Sequence, residues 1–96
     1  MLLDEIRQKK ATIDALCREY GARRPRVFGS VARREEQAHS DVDVLVDFPR
    51  GYDLFAQRFP LTEKLSELLL RKVDLVPEHE LNRYIRERAL REAVDL

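Results

Sequence analysis

With 96 residues the chain has room for one small domain, and at that size folding removes only about two-thirds of the surface an unfolded chain exposes. Its 18 Lys and Arg balance its 18 Asp and Glu, so no overall field draws it to DNA or an anionic membrane, although nucleic acid is not excluded as a substrate. A single cysteine, Cys17, excludes an internal disulfide, and there is neither a signal peptide nor an apolar run near the roughly 20 residues a membrane span needs, so the expected location is cytoplasmic.

Residues 2–20 read as one amphipathic helix: Ile6, Ile13, Leu16, Cys17 and Tyr20 recur at helical spacing, and Gly21 stops it. Cys17 falls on the apolar stripe and reads as packing rather than as a reactive thiol. After Pro25, Val27 and Phe28 form a short strand that runs into Gly29. Val31 to Glu36 reads as a short helix with Ser30 as its N-cap, and Gln37 to Ser40 as a polar loop. Asp41 to Phe48 alternates as a strand, with Val42, Val44 and Val46 on one face. Pro49-Arg50-Gly51 is a turn. Leu54 and Phe55 open a helical stretch that Pro60 interrupts or restarts, and Leu61, Leu65, Leu68 and Leu69 make its stripe, which serves either the core or a docking surface. Lys72 to Val76 is the last strand, ended by Pro77, and Leu81, Tyr84, Ile85, Arg88 and Leu90 describe a terminal helix to about Ala93. The order α-β-α-β-α-β-α, without repeats or linkers, predicts an α/β layered fold occupying residues 1–96 as a single small domain.

Chemistry concentrates in the acids. Residues i and i+2 of a strand point the same way, roughly 6.5–7 Å apart, so Asp41 and Asp43 share one face while the valines pack on the other. Two carboxylates so placed repel, and a cation between them relieves the repulsion. Magnesium suits such a site, since it takes oxygen ligands and commonly uses one or two carboxylates together with substrate phosphates. Asp74, flanked by Val73, Leu75 and Val76, reads as a third acid in an apolar setting that a function would explain, and it completes the site if its strand lies beside the first. The competing reading is a solvated strand edge, which is how Asp47 is taken.

Gly29 ends a strand and Ser30 opens a helix, a place where backbone N–H groups bind anions and a glycine allows close approach. Ser30 also serves simply as a cap. Arg33 and Arg34, read as lying near the helix N-terminus, oppose the helix dipole unless an anion binds there, or else pair with Glu35 and Glu36 on a solvated face.

Together, Gly29-Ser30-Val31-Ala32-Arg33, a gap of six residues, and Ser40-Asp41-Val42-Asp43-Val44-Leu45-Val46 resemble the signature of the minimal nucleotidyltransferases of the DNA polymerase beta superfamily. Val73-Asp74-Leu75-Val76 is similar to the place where that family carries its third carboxylate. The resemblance covers nearly the whole chain, including the terminal Tyr84-Ile85-Arg86-Glu87-Arg88 helix. It implies a short mixed β-sheet flanked by helices, with Gly29, Ser30, Arg33 and Ser40 at the nucleotide. It also implies Asp41, Asp43 and Asp74 as catalytic ligands of a two-metal magnesium site that uses ATP. Such chains resemble the antitoxin half of two-gene modules whose other half is a HEPN-type ribonuclease toxin. The implied reaction attaches AMP to a tyrosine of that toxin.

Three functions follow as expectations. The first is adenylyl transfer to a partner hydroxyl, with Asp74 helping to deprotonate it. The second is a binding-only antitoxin that occludes its partner, and the third is transfer to RNA or a small molecule. A homo-oligomer is compatible with each. Against nucleic acid stands the lack of a basic stripe with interleaved aromatics, Tyr20, Tyr52 and Tyr84 being scattered. His39 and His79 read as polar surface residues, with His39 able to approach the site from the loop before Ser40.

Overall fold

Valines at every second position of one strand decide the layering of the molecule. The computed structural model, which describes residues 1–96, contains strands β1 (Arg23–Phe28), β2 (Val42–Asp47), β3 (Val73–Pro77) and β4 (Val94–Asp95). Its helices are α1 (Leu2–Gln8), α2 (Lys10–Glu19), α3 (Gly29–Ala32), α4 (Phe59–Leu69) and α5 (Arg83–Glu92). The sheet order is β3-β2-β1-β4. β1 is antiparallel to β2 and to β4, whereas β2 and β3 run parallel, so the sheet is mixed. Val42, Val44 and Val46 join Val27, Val73 and Leu75 in one buried cluster with Leu3, Ile6, Ile13 and Cys17 of α1 and α2 and Leu61, Leu65 and Leu69 of α4. Side chains alternate across a strand, so Arg26, Asp43 and Leu45 occupy the opposite face. There α5 packs on β1, and Leu45 and Ala89 are buried outside the main cluster.

This is the α/β architecture expected, with several local differences. The stretch 2–20 is two helices. Lys9 closes α1 at φ −100 and ψ 14, and its ammonium donates to the Leu68 carbonyl at 3.2 Å. Neither a glycine nor a proline marks the break, so the apolar periodicity runs across it unbroken. β1 begins at Arg23 rather than Val27. It accommodates Pro25 because its pairing with β2 is irregular between Arg23 and Arg26. β2 begins at Val42, leaving Asp41 just outside it.

The short helix after Gly29 also differs. It covers Gly29–Ala32, its N-cap is Phe28 with no side-chain cap, and Arg33 sits at its C-terminal end. Ser30 is therefore not the cap, and Arg33 at a C-terminus is favoured by the dipole rather than opposed to it. Farther on, Leu54–Arg58 is a π-helical turn capped by Asp53, and Pro60 lies in the first turn of α4, where its missing N–H is not needed. The leucine stripe is core: Leu61, Leu65 and Leu69 are buried and Leu68 packs against them. A 3-10 turn at Glu78–Glu80 precedes α5, whose N-cap Asn82 accepts from the Tyr84 amide at 2.7 Å.

Candidate active site

Register assembles the site. Phe28 lies opposite Asp43 in the β1–β2 pair, and Asp43 lies opposite Asp74 in the β2–β3 pair. The Gly29 turn, Asp43 and Asp74 thus sit side by side at one end of the sheet, neighbouring strands being about 4.8 Å apart. Gly29 adopts φ +73, and a Cβ on it would come within 2.3 Å of Asp43 Oδ2. The glycine is required twice, for its left-handed backbone and for the carboxylate pressed against it.

Asp43 is half-buried, and that partial burial pushes its carboxyl above the ordinary value of 3.8. The charges of Asp74 and Asp41 add to the rise, while Arg33 works against it. Three carboxylates that feel one another are the donor set a hard cation suits. As the side chains stand, no three His, Cys, Asp or Glu groups are gathered tightly enough to hold a metal. Asp41 instead lies 3.9 Å from Lys72 Nζ. Asp74 is exposed. The reading of it as an acid in an expensive apolar setting fails, because its valine and leucine neighbours face the other way or lie at the sheet edge.

Around the acids, Ser30 is half-buried within α3. Arg33 donates through Nε to Glu35 at 3.2 Å and through Nη1 to Glu92 of α5 at 3.0 Å. Arg34 leaves the site and grips Asp4 with two bonds of 2.8 and 3.0 Å. Ser40 lies beside Asp41 but its hydroxyl accepts from the Gln37 amide at 2.8 Å, closing its own loop. His39 is exposed in that loop. Two clefts flank the carboxylates. One, of about 210 Å³, is formed by Gly29, Arg33, Ile85, Arg88 and Glu92. The other, of about 240 Å³, is formed by His39, Ser40, Asp41, Leu70 and Lys72.

Sequence reading missed Glu92 and Lys72, which carry no motif and are brought in by α5 and by the residue that precedes β3. It also missed Arg26. That residue is 2% exposed, and its guanidinium donates to Asp47 at 2.7 Å, to Glu78 at 2.8 Å and to the Arg24 carbonyl at 3.1 Å. Asp47 is thus not a solvated strand-end acid but half of a partly buried ion pair.

In both sequence and fold the chain is similar to known proteins. Residues 9–96 match the nucleotidyltransferase domain family. The protein adenylyltransferase MntA of Thermococcus cleftensis is 43% identical over 75 residues, which span 78% of this chain and 75% of MntA. A solved structure provisionally described as a minimal nucleotidyltransferase is 43% identical and superposes with a TM-score of 0.85, covering 100% of this chain and 97% of that one. A variant of the MntA–HpeT toxin–antitoxin complex contains a chain 25% identical with a TM-score of 0.70, the match covering 91% of this chain and 69% of that one.

Proposed function

The chain belongs to the nucleotidyltransferase domain family, and from that premise we propose that it transfers AMP from ATP to a hydroxyl, a tyrosine, on a partner toxin of the HEPN ribonuclease type, acting as the antitoxin. The observation that carries this reading is the register that sets Asp43 between the Gly29 turn and Asp74. In this reading the catalytic domain spans residues 1–96 and works in the cytoplasm. The backbone at Gly29 and Ser30 cradles the triphosphate, and Arg33 turns from Glu92 toward its charge. Ser40 holds the loop that carries Asp41. Asp41, Asp43 and Asp74 would hold magnesium, which when bound neutralises the phosphates and steadies the leaving oxygen. The acceptor oxygen attacks the α-phosphorus as the bond to the β-phosphate bridging oxygen breaks. Pyrophosphate departs, and the hydroxyl proton passes to Asp74, which is exposed to solvent.

Support for a protein acceptor comes from the Thermococcus cleftensis relative, which is named a protein adenylyltransferase, and from the MntA–HpeT toxin–antitoxin complex, which contains a chain of similar fold. The binding-only reading leaned on a leucine stripe for docking, and that stripe is occupied by the core. The test is transfer of label from α-labelled ATP, with magnesium, to the product of the neighbouring gene. Wild type is expected to label it and Asp41→Ala/Asp43→Ala to fall by about a thousandfold, the range lost when a preorganised charge group is removed from an active site. Label that survives in the double variant overturns the proposal.

A further inference from the structure

The largest cleft in the molecule, about 560 Å³, lies away from the carboxylates, between the end of α2 and the start of β1. Its volume falls in the range of small-molecule sites. Asp14, Cys17, Arg18, Gly21, Arg23 and Arg24 contribute to its walls.

The backbone builds this lining deliberately. In a regular strand consecutive residues face opposite ways, yet Arg23 and Arg24 both line the cleft. They do so because β1 slips register between Arg23 and Arg26 and Arg24 takes φ +54, a left-handed conformation unfavourable for a residue with a Cβ. The Arg24 carbonyl accepts from buried Arg26 at 3.1 Å, which fixes the irregularity in place.

The charge is also unspent. Arg26, Arg33, Arg34 and Arg58 each hydrogen-bond a carboxylate. Arg24 reaches only Asp95 at 3.7 Å, with both side chains more than half exposed, and Arg18 and Arg23 have no ion-pair partner. In a chain of zero net charge, the lining of this one cleft therefore holds three arginines and a single carboxylate residue, Asp14. The floor adds no negative charge, because burial, reinforced by Asp14, pushes the Cys17 thiol up to about 11.

We infer that this cleft is a second ligand site that binds a phosphorylated molecule of nucleotide size, its phosphate held by Arg18, Arg23 and Arg24 and a hydroxyl donating to Asp14. Guanidiniums match phosphate oxygens in pairs, and the single carboxylate favours an ester bearing hydroxyls over bare phosphate. The site is separate from the catalytic one. Arg23 pairs with Asp47 whereas Phe28 pairs with Asp43, so the two lie four residue steps apart along β2, roughly 13 Å.

The test is a magnesium-free NMR titration with AMP that follows the Gly21 and Ala22 amides beside those of Gly29 and Ser30. Saturable shifts at Gly21 and Ala22 are expected, weakened by about tenfold or more in Arg23→Ser/Arg24→Gly, with adenylyl transfer unchanged. Glycine suits the backbone at position 24, so that variant retains the fold. Shifts confined to Gly29 and Ser30, or equal affinity in the variant, overturn the inference. So does a 5′-phosphorylated RNA that binds the cleft more than about tenfold tighter than AMP, which would make the site an RNA site.

Discussion

Gly29 and Asp43 hold each other in a contact that neither can change alone. Gly29→Ala puts a methyl within 2.3 Å of the Asp43 carboxylate at φ +73, and is expected to destabilise the protein by about 2 kcal/mol in urea unfolding. Combining it with Asp43→Ala removes the clash but not the backbone strain, so the double variant should recover only part of the loss. Ionised Asp43 costs the fold some stability. Its folded pKa lies above the ordinary 3.8, so its contribution is fully present below that value and is lost as pH rises through the folded pKa. Asp43→Asn is therefore expected to raise Tm by a few degrees at neutral pH while abolishing transfer, with the gain shrinking as the solution approaches pH 4. Thermal melts across that range would check it. The Gly-Ser and Asp-x-Asp positions were legible because each is a local pattern of a few residues. The burial of Asp43 and the exposure of Asp74 were not, since both depend on what lies across the strand.

Among the elements, the start of β1 shows most clearly what a local reading cannot see. Arg23-Arg24-Pro25-Arg26 has the look of a polar loop, and only distant partners turn it into strand. Arg26 meets Asp47 at a separation of 21 residues and Glu78 at 52. Together these bonds tie β1, β2 and the turn before α5. The Arg26 hydrogen bond holds the Glu78 carboxyl below its usual 4.5. A depressed carboxyl stabilises the fold above its unfolded pKa and loses that contribution as pH falls through the folded one. Arg26→Met is expected to cost about 2 kcal/mol at pH 7, less than the loss of a fully buried pair because both carboxylates keep some water. Its stability should also fall less steeply below the usual Glu78 value than that of wild type, as acid titrations of urea midpoints would show. The two-helix form of residues 2–19 is likewise accompanied by a distant contact, a hydrogen bond from Lys9 at the break to α4.

At the scale of the whole molecule, the face of the sheet opposite the core gathers the carboxylates, the Arg33–Glu92 link to α5 and the flanking clefts. A cation that relieves the repulsion around Asp43 should stabilise the entire domain. At ten times its Kd, magnesium would add roughly 1.4 kcal/mol, read as a rise in Tm that Asp41→Asn/Asp43→Asn does not share. No helix is long and apolar enough to cross a membrane. By itself the sequence determined the alternation of helices and strands, the valine face that would be buried, and the acids on the other side. Those are consequences of side-chain periodicity and short motifs, which neighbouring residues carry. The tertiary structure alone decided that β3 lies beside β2 in a register matching Asp43 to Asp74, that a short β4 closes the far edge, and that Arg26 is buried rather than solvated. Each of these depends on hydrogen bonds and charges brought together from distant parts of the chain, and no stretch of sequence contains both partners.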